Sequence, residues 1–214
     1  VAHVPRSMLI AHGAAGDQDG LLAQLGAAPT VRHSVSIMSV DLAFINDVAF
    51  SIDTVKSLPT RAQRLRATVF SEVLRRGGIQ VATPLNRWAF AWNLHGGDKG
   101  GIQAAVQCAM ATVAAGTVDY PSMQVAVTTG TVAVGAVGSP TFKTAAVVGT
   151  PVLLASLALR VAKAHGAGLI ADAETHANCT SQTYRSRPIE VVAPEAGAAG
   201  IVLYNMLSSL DSHD

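Results

Sequence analysis

Few residues in this chain stand at spacings that could do chemistry. The seven histidines never form an HxH or HxxxH pair, so a zinc site is not indicated. Cys108 and Cys179 lie far apart, without CxxC or Cys/His spacing, and read as reduced thiols of an intracellular protein. The glycine-rich run "GTVAVGAVGS" matches neither GxxxxGK(S/T) nor GxGxxG, so turns and close strand packing explain it better than a phosphate cradle. Ser139 and Ser156 lack the GxSxG context of an activated nucleophile. What remains is Asp41, closing a β-branched segment. A carboxylate there is either a hard oxygen ligand for a cation or a solvated, capping group.

The elements that would position Asp41 follow from periodicity. "HSVSIMSVDL" reads as a core strand ending near Asp41. A helix is expected over 61–76, started by Pro59-Thr60, stopped by Gly77-Gly78, with Leu65, Val69, Phe70, Val73 and Leu74 as its apolar stripe. "IQVAT" and "RWAFAW" flank the turn residues Pro84-Leu85-Asn86 as a hairpin, in which Trp88, Phe90 and Trp92 alternate with Ala89 and Ala91. A second helix is expected over 101–115, then separate strands at "MQVAVTT", "VAVGAV" and "AAVV". A third helix over 151–165 has Pro151 in its first turn and Gly166 past its end. "AGLIAD", a short helix, "PIEVVA" and "GIVLYNML" complete the series. Strands alternating with helices and hairpins predict an α+β sandwich of helices on a mixed sheet. Residues 1–32 are a poorly assigned segment, with a short helix suggested by Leu21, Leu22 and Leu25; 33–214 form one domain.

Composition narrows the functional classes. Of 214 residues, 50% are hydrophobic and 14% charged, which suits a buried, sheet-containing core. With 5% aromatic residues, a net charge of +1 and no Lys/Arg run, nothing offers a nucleic acid a stacking platform or a basic stripe. The longest apolar stretch, 145–159, is interrupted by Gly149 and Pro151 and falls short of the ~20 residues of a spanning helix. No signal peptide is visible, and the start at Val1 without an initiator Met suggests a piece of a longer protein.

The order of elements and several strings resemble the class III adenylyl/guanylyl cyclase catalytic domain. "SVSIMSVDL" resembles that family's first strand, which ends in a metal-binding Asp, and "VFSEVLRRGGIQV" running into "WAFAW" resembles its helix, double glycine and hairpin. The fullest match is "VAVTTGTVAVGAVGSPTFKTAAVVGTPVLLASLALRVAKAHGAGLIADAET". It is similar to the family's strand, TG turn, GxxGS, VxG, dimer-facing helix and "ISEET"-like segment. The resemblance runs from about residue 32 to the C-terminus. It implies a ferredoxin-like βαββαβ core on a mixed, mainly antiparallel sheet, the nucleotide cyclase fold, and a homodimer or a heterodimer with another cyclase-type domain.

It also implies a chemistry that this chain mostly lacks. Attack of a ribose hydroxyl on an α-phosphate requires two divalent metals held by carboxylates, with a Lys, Asn and Arg from a partner reading the purine and stabilising charge. Asp41 falls on the first metal position, but neutral Asn86 falls on the second. Phe44 in "LAFIN" replaces a glycine beside the phosphates, and Ala82 stands where the purine-reading Lys is expected. Thr144 occupies the second purine-reading position and is the one nucleotide-binding candidate; Leu153 and Leu157 replace the Asn and Arg. Arg160, one turn further, is an ordinary helix-surface arginine, and Arg185 and Arg187 lie near where the family places a phosphate-binding Lys. Each lost group costs about 10²–10³ in rate. The expectation is a catalytically inactive, cytoplasmic pseudo-cyclase serving as a dimerisation, regulatory or structural module. Asp41 is then a vestigial metal position, no residue is catalytic, and Mg or Mn enters only with residual nucleotide binding. The alternative is an active or nucleotide-sensing cyclase domain working with a partner.

Overall fold

The computed structural model describes residues 30–42, 52–82, 87–96, 100–117, 120, 122–139, 142–179 and 184–209. Its first strand, β1 (Thr30–Asp41), alternates its side chains between two packed faces. Met38 and Val40 point into one core, Val35 and Ile37 into another. Helix α1 (Ile52–Arg75) follows, then β2 (Ile79–Gln80), β3 (Arg87–Trp92) and α2 (Gly101–Thr117). Strand β4 (Val125–Ser139) lies beside β1, so β1-α1-β2-β3-α2-β4 has the order β2-β3-β1-β4, the expected ferredoxin-like arrangement. The chain adds β5 (Phe142–Val148), α3 (Thr150–His165), β6 (Leu169–Asp172), α4 (Ala173–Asn178), β7 (Tyr184–Val192) and β8 (Ile201–Ser209). The sheet extends to β2-β3-β1-β4-β6-β8-β7, with β5 on the second half of β4. Among these strands the β4/β6 pair is parallel, as the helical crossover between them requires.

Three apolar clusters hold the layers together. Helices α1 and α2 cover the Met38, Val40, Phe90 and Trp92 face, with Leu65, Val69 and Val73 inserted from α1. There Phe70 meets Trp88 and Phe90 edge-on, at ring separations of 5.9 and 5.2 Å. Such pairs contribute about 0.5–1.5 kcal/mol beyond area burial. Trp92 satisfies its indole by donating to the Arg76 carbonyl at 2.9 Å. On the opposite face Leu154, Ala158, Leu159 and Ala162 of α3 pack onto Ala126, Ile170 and Leu203. A third cluster joins Ile79, Val81, Ala89 and Ala91 to Val132, Val134, Ala145 and Val147 of the β4–β5 ribbon.

The structure departs from the sequence reading at two places. Pro59, expected to open α1, lies inside a helix that begins at Ile52. Proline there removes one helical hydrogen bond, a loss that does not end the helix. The two strands expected on either side of Thr129-Gly130 are one strand, β4. Gly130 is a crossing point rather than a turn: a Cβ there would stand 2.9 Å from Pro151 Cγ. Gly149 does the same from the helix side, where a Cβ would stand 2.8 Å from the Thr131 carbonyl oxygen. The two glycines let α3 start directly on β4, and Thr128 Oγ donates to the Pro151 carbonyl at 2.8 Å. The third helix ends as expected, with Gly166 in the left-handed conformation at φ 62°. The segment around Leu21, Leu22 and Leu25 lies outside the described residues.

Candidate functional site

The face of the sheet that carries α3 also carries Asp41. Alternation along β1 puts Asp41 on the same side as Val35, Ile37 and Ser39, and alternation along β3 puts Arg87 on the side of Ala89 and Ala91. The two strands pair Asp41 with Arg87 directly across the ladder. Side chains so opposed stand about 4.5–5.5 Å apart at Cβ. The Asp41 amide donates to the Gln124 carbonyl at 3.0 Å, so the backbone at this strand end is fixed. Arg87 reaches further across the face: its Nη1 donates to Ser156 Oγ on α3 at 2.7 Å. Ser156 in turn donates to the Val152 carbonyl one turn back, at 3.3 Å.

The other positions expected to matter fall on two further elements. Ala82 and Thr144 come together where β2 meets β5. Val81 and Ala145 form an isolated parallel bridge, and the Ala82 amide donates to the Ala145 carbonyl at 2.8 Å. Ala82 is exposed and Thr144 half-buried, opposite Val137 of β4. On α3, Leu153 is 50% exposed and Leu157 half-buried, one turn apart and flanking Ser156. Arg160 is exposed on the same helix, as are Arg185 and Arg187 on β7. Phe44 and Asn86 lie outside the described residues.

Two polar arrangements were not anticipated. The first is the Arg87–Ser156 contact. Its signal was present: "RWAFAW" places Arg87 on the alanine face, opposite the aromatic one. The second is a buried chain of hydroxyls ending in a carboxylate. Ser36 and Thr129 share a hydrogen bond of 3.0 Å, and Thr129 and Thr175 one of 2.8 Å. Asp172 caps α4 by accepting from the Thr175 amide at 3.0 Å and also accepts from the Thr129 amide. Burial pushes the Asp172 carboxyl up to about 6, against the hydrogen bonds from Thr175 and Thr129 that favour its ionised form. Asp172 is 2% exposed, and this group tethers α4 to the sheet.

The donor set suits cations poorly. Among the described residues no three His, Cys, Asp or Glu side chains converge as a metal site. A two-metal centre requires paired carboxylates, and the face described offers Asp41 with a guanidinium across from it. Both cysteines are buried, and burial raises their thiols to about 12 at Cys108 and about 11 at Cys179, which makes them unreactive. Among the described residues no helix is long and apolar enough to cross a membrane.

A ferredoxin-like core extended by β5, α3 and a β7–β8 hairpin is the fold of class III adenylyl/guanylyl cyclase catalytic domains, and this chain has that fold. It is similar to the adenylyl cyclase CyaB from P. aeruginosa, with a TM-score of 0.68 at 15% identity, covering 87% of this chain and 100% of the other. It is also similar to the guanylate cyclase domain of RhGC from Catenaria anguillulae, solved with GTP (TM-score 0.66, 15% identity, 84% and 99% covered). A third likeness is to a dimeric guanylyl cyclase domain of the RhoGC fusion protein from Blastocladiella emersonii (TM-score 0.66, 16% identity, 84% and 99% covered). No family model matches the sequence, and neither does any curated protein.

Proposed function

We propose that the chain is a catalytically inactive cyclase-like domain. It acts as a dimerisation, regulatory or structural module of a larger signalling protein in the cytoplasm, paired with a second copy or another cyclase-type domain. One observation carries this reading: Ala82, Leu153 and Leu157 stand where the resemblance calls for Lys, Asn and Arg, and Asp41 is paired across the ladder with Arg87. The losses fall on both halves of the implied chemistry, so neither a homodimer nor a competent partner would assemble a full site from them. Leu153, at 50% exposure, is apolar surface that a partner domain would cover. That a similar guanylyl cyclase domain was solved as a dimer supports pairing as the mode of use.

Thr144 favours a narrower second reading, nucleotide sensing. It sits half-buried beside Ala82 at the β2–β5 junction, where a hydroxyl can hydrogen-bond a purine edge. Calorimetry with ATP and GTP in the presence of Mn²⁺ separates the readings. The inactive module gives no heat of binding, whereas a sensor gives a saturable isotherm that Thr144→Val weakens. Light scattering on eluted protein, alone and with candidate partners, tests pairing, and a strict monomer that takes no partner overturns it.

A further inference from the structure

One side chain that the resemblance does not account for joins β3 to α3. Arg87 begins β3 on the face of Ala89 and Ala91, directly opposite Asp41, and its Nη1 donates to Ser156 Oγ on α3 at 2.7 Å. Ser156 lies between Leu153 and Leu157, and its hydroxyl proton is directed to the Val152 carbonyl at 3.3 Å. The Oγ lone pairs are therefore free to accept from a cation, and Arg87 is the cation they meet. The neighbouring positions on this face are small, with Ser39 and Ala89 paired next along the ladder, which leaves room for a long side chain to cross it.

We propose that Arg87 is a resident cation of the cleft. Its guanidinium supplies the positive charge beside Asp41 where the fold's divalent metal would otherwise stand, and it straps β3 to α3 through Ser156, so the chain closes its own metal position. This rests on the reading of Asp41 as a former metal position, and it goes beyond inactivity by naming what replaced the ion. A cation borne directly across the ladder from a carboxylate, on the same face of the sheet, repels an incoming dication. The neutral residue at 86 is then the second of two changes, and restoring it alone would not restore binding. The β3–α3 strap also predicts that the first turns of α3 are held by the interior of this chain, whether or not a partner is present.

The test uses the whole chain and Mn²⁺ as the probe, followed by electron paramagnetic resonance of the free ion. Asn86→Asp supplies a second carboxylate, and its affinity is compared with Asn86→Asp/Arg87→Ala and Asn86→Asp/Arg87→Gln. Glutamine keeps a donor near Ser156 without the charge and guards against a folding defect in the alanine variant. The expected result is at least about tenfold tighter Mn²⁺ binding when the charge is removed, abolished by adding Asp41→Asn. Hydrogen exchange reads the strap separately: Ser156→Ala and Arg87→Ala should each speed exchange of the α3 amides around residues 152–160. Equal Mn²⁺ affinity with and without Arg87 overturns the resident cation, and unchanged α3 exchange in both strap variants overturns the strap. Turnover by the wild-type chain would instead contradict the proposed function, and none of these comparisons depends on it.

Discussion

Replacing Asp172 by Asn should change how stability depends on pH without removing the helix cap. Asp172 is buried, and its carboxyl is raised from the ordinary 3.8 to about 6 because burial disfavours the charge. A carboxyl raised in the folded state binds its proton more tightly there than in the unfolded chain. Its contribution is fully favourable below about pH 4 and is lost as pH rises through about 6. The displacement corresponds to roughly 3 kcal/mol lost between about pH 4 and pH 7. With a urea dependence of about 2 kcal/mol per molar, the midpoint difference between wild type and Asp172→Asn should move by roughly 1.5 M across that range. Asn keeps an oxygen that accepts from the Thr175 amide, so the cap at 3.0 Å survives the substitution. Urea unfolding at half-unit steps from pH 4 to 7.5 measures the midpoint difference. Parallel midpoint curves for the two proteins would refute the buried, proton-retaining carboxyl.

Three further outcomes test the packing. Gly149→Ala would set a Cβ 2.8 Å from the Thr131 carbonyl oxygen, a backbone atom that cannot swing away. It should destabilise the domain by about 1–3 kcal/mol in denaturant titration. Adjacent leucines on α3 should part company: Leu154→Ala, at 2% exposure, should cost about 2–5 kcal/mol. Leu153→Glu, at 50% exposure, should alter monomer stability by no more than about 0.5 kcal/mol, yet lower the self-association seen by light scattering. Arg87→Ala should remove the bond to Ser156 and lower the thermal midpoint by a few degrees, about 1–2 kcal/mol.

The core fold was legible because its signals are periodic and local. "SVSIMSVDL" and "RWAFAW" alternate as strands must, and Pro151 and Gly166 bracket α3 as sequence rules require. One departure has its cause in a long-range contact. Thr129-Gly130 has turn composition, but Gly130 is needed to admit Pro151 from 21 residues along the chain. Pro59 has the composition of a helix start, but α1 begins earlier, at Ile52. At the candidate site, Ala82 and Thr144 meet through the bridge between Val81 and Ala145, a contact between distant parts of the chain. Arg87 belongs to no ligand motif. Its face was readable from the alternation, but its partner Ser156, 69 residues away, was not.

The most direct measurement of the central claim is cyclic nucleotide production by the purified chain, alone and mixed with an active cyclase domain, with ATP or GTP and Mn²⁺. An inactive domain gives no cAMP or cGMP above the rate of the buffer or of the partner alone. Turnover that depends on this chain and is abolished by Asp41→Ala would contradict it.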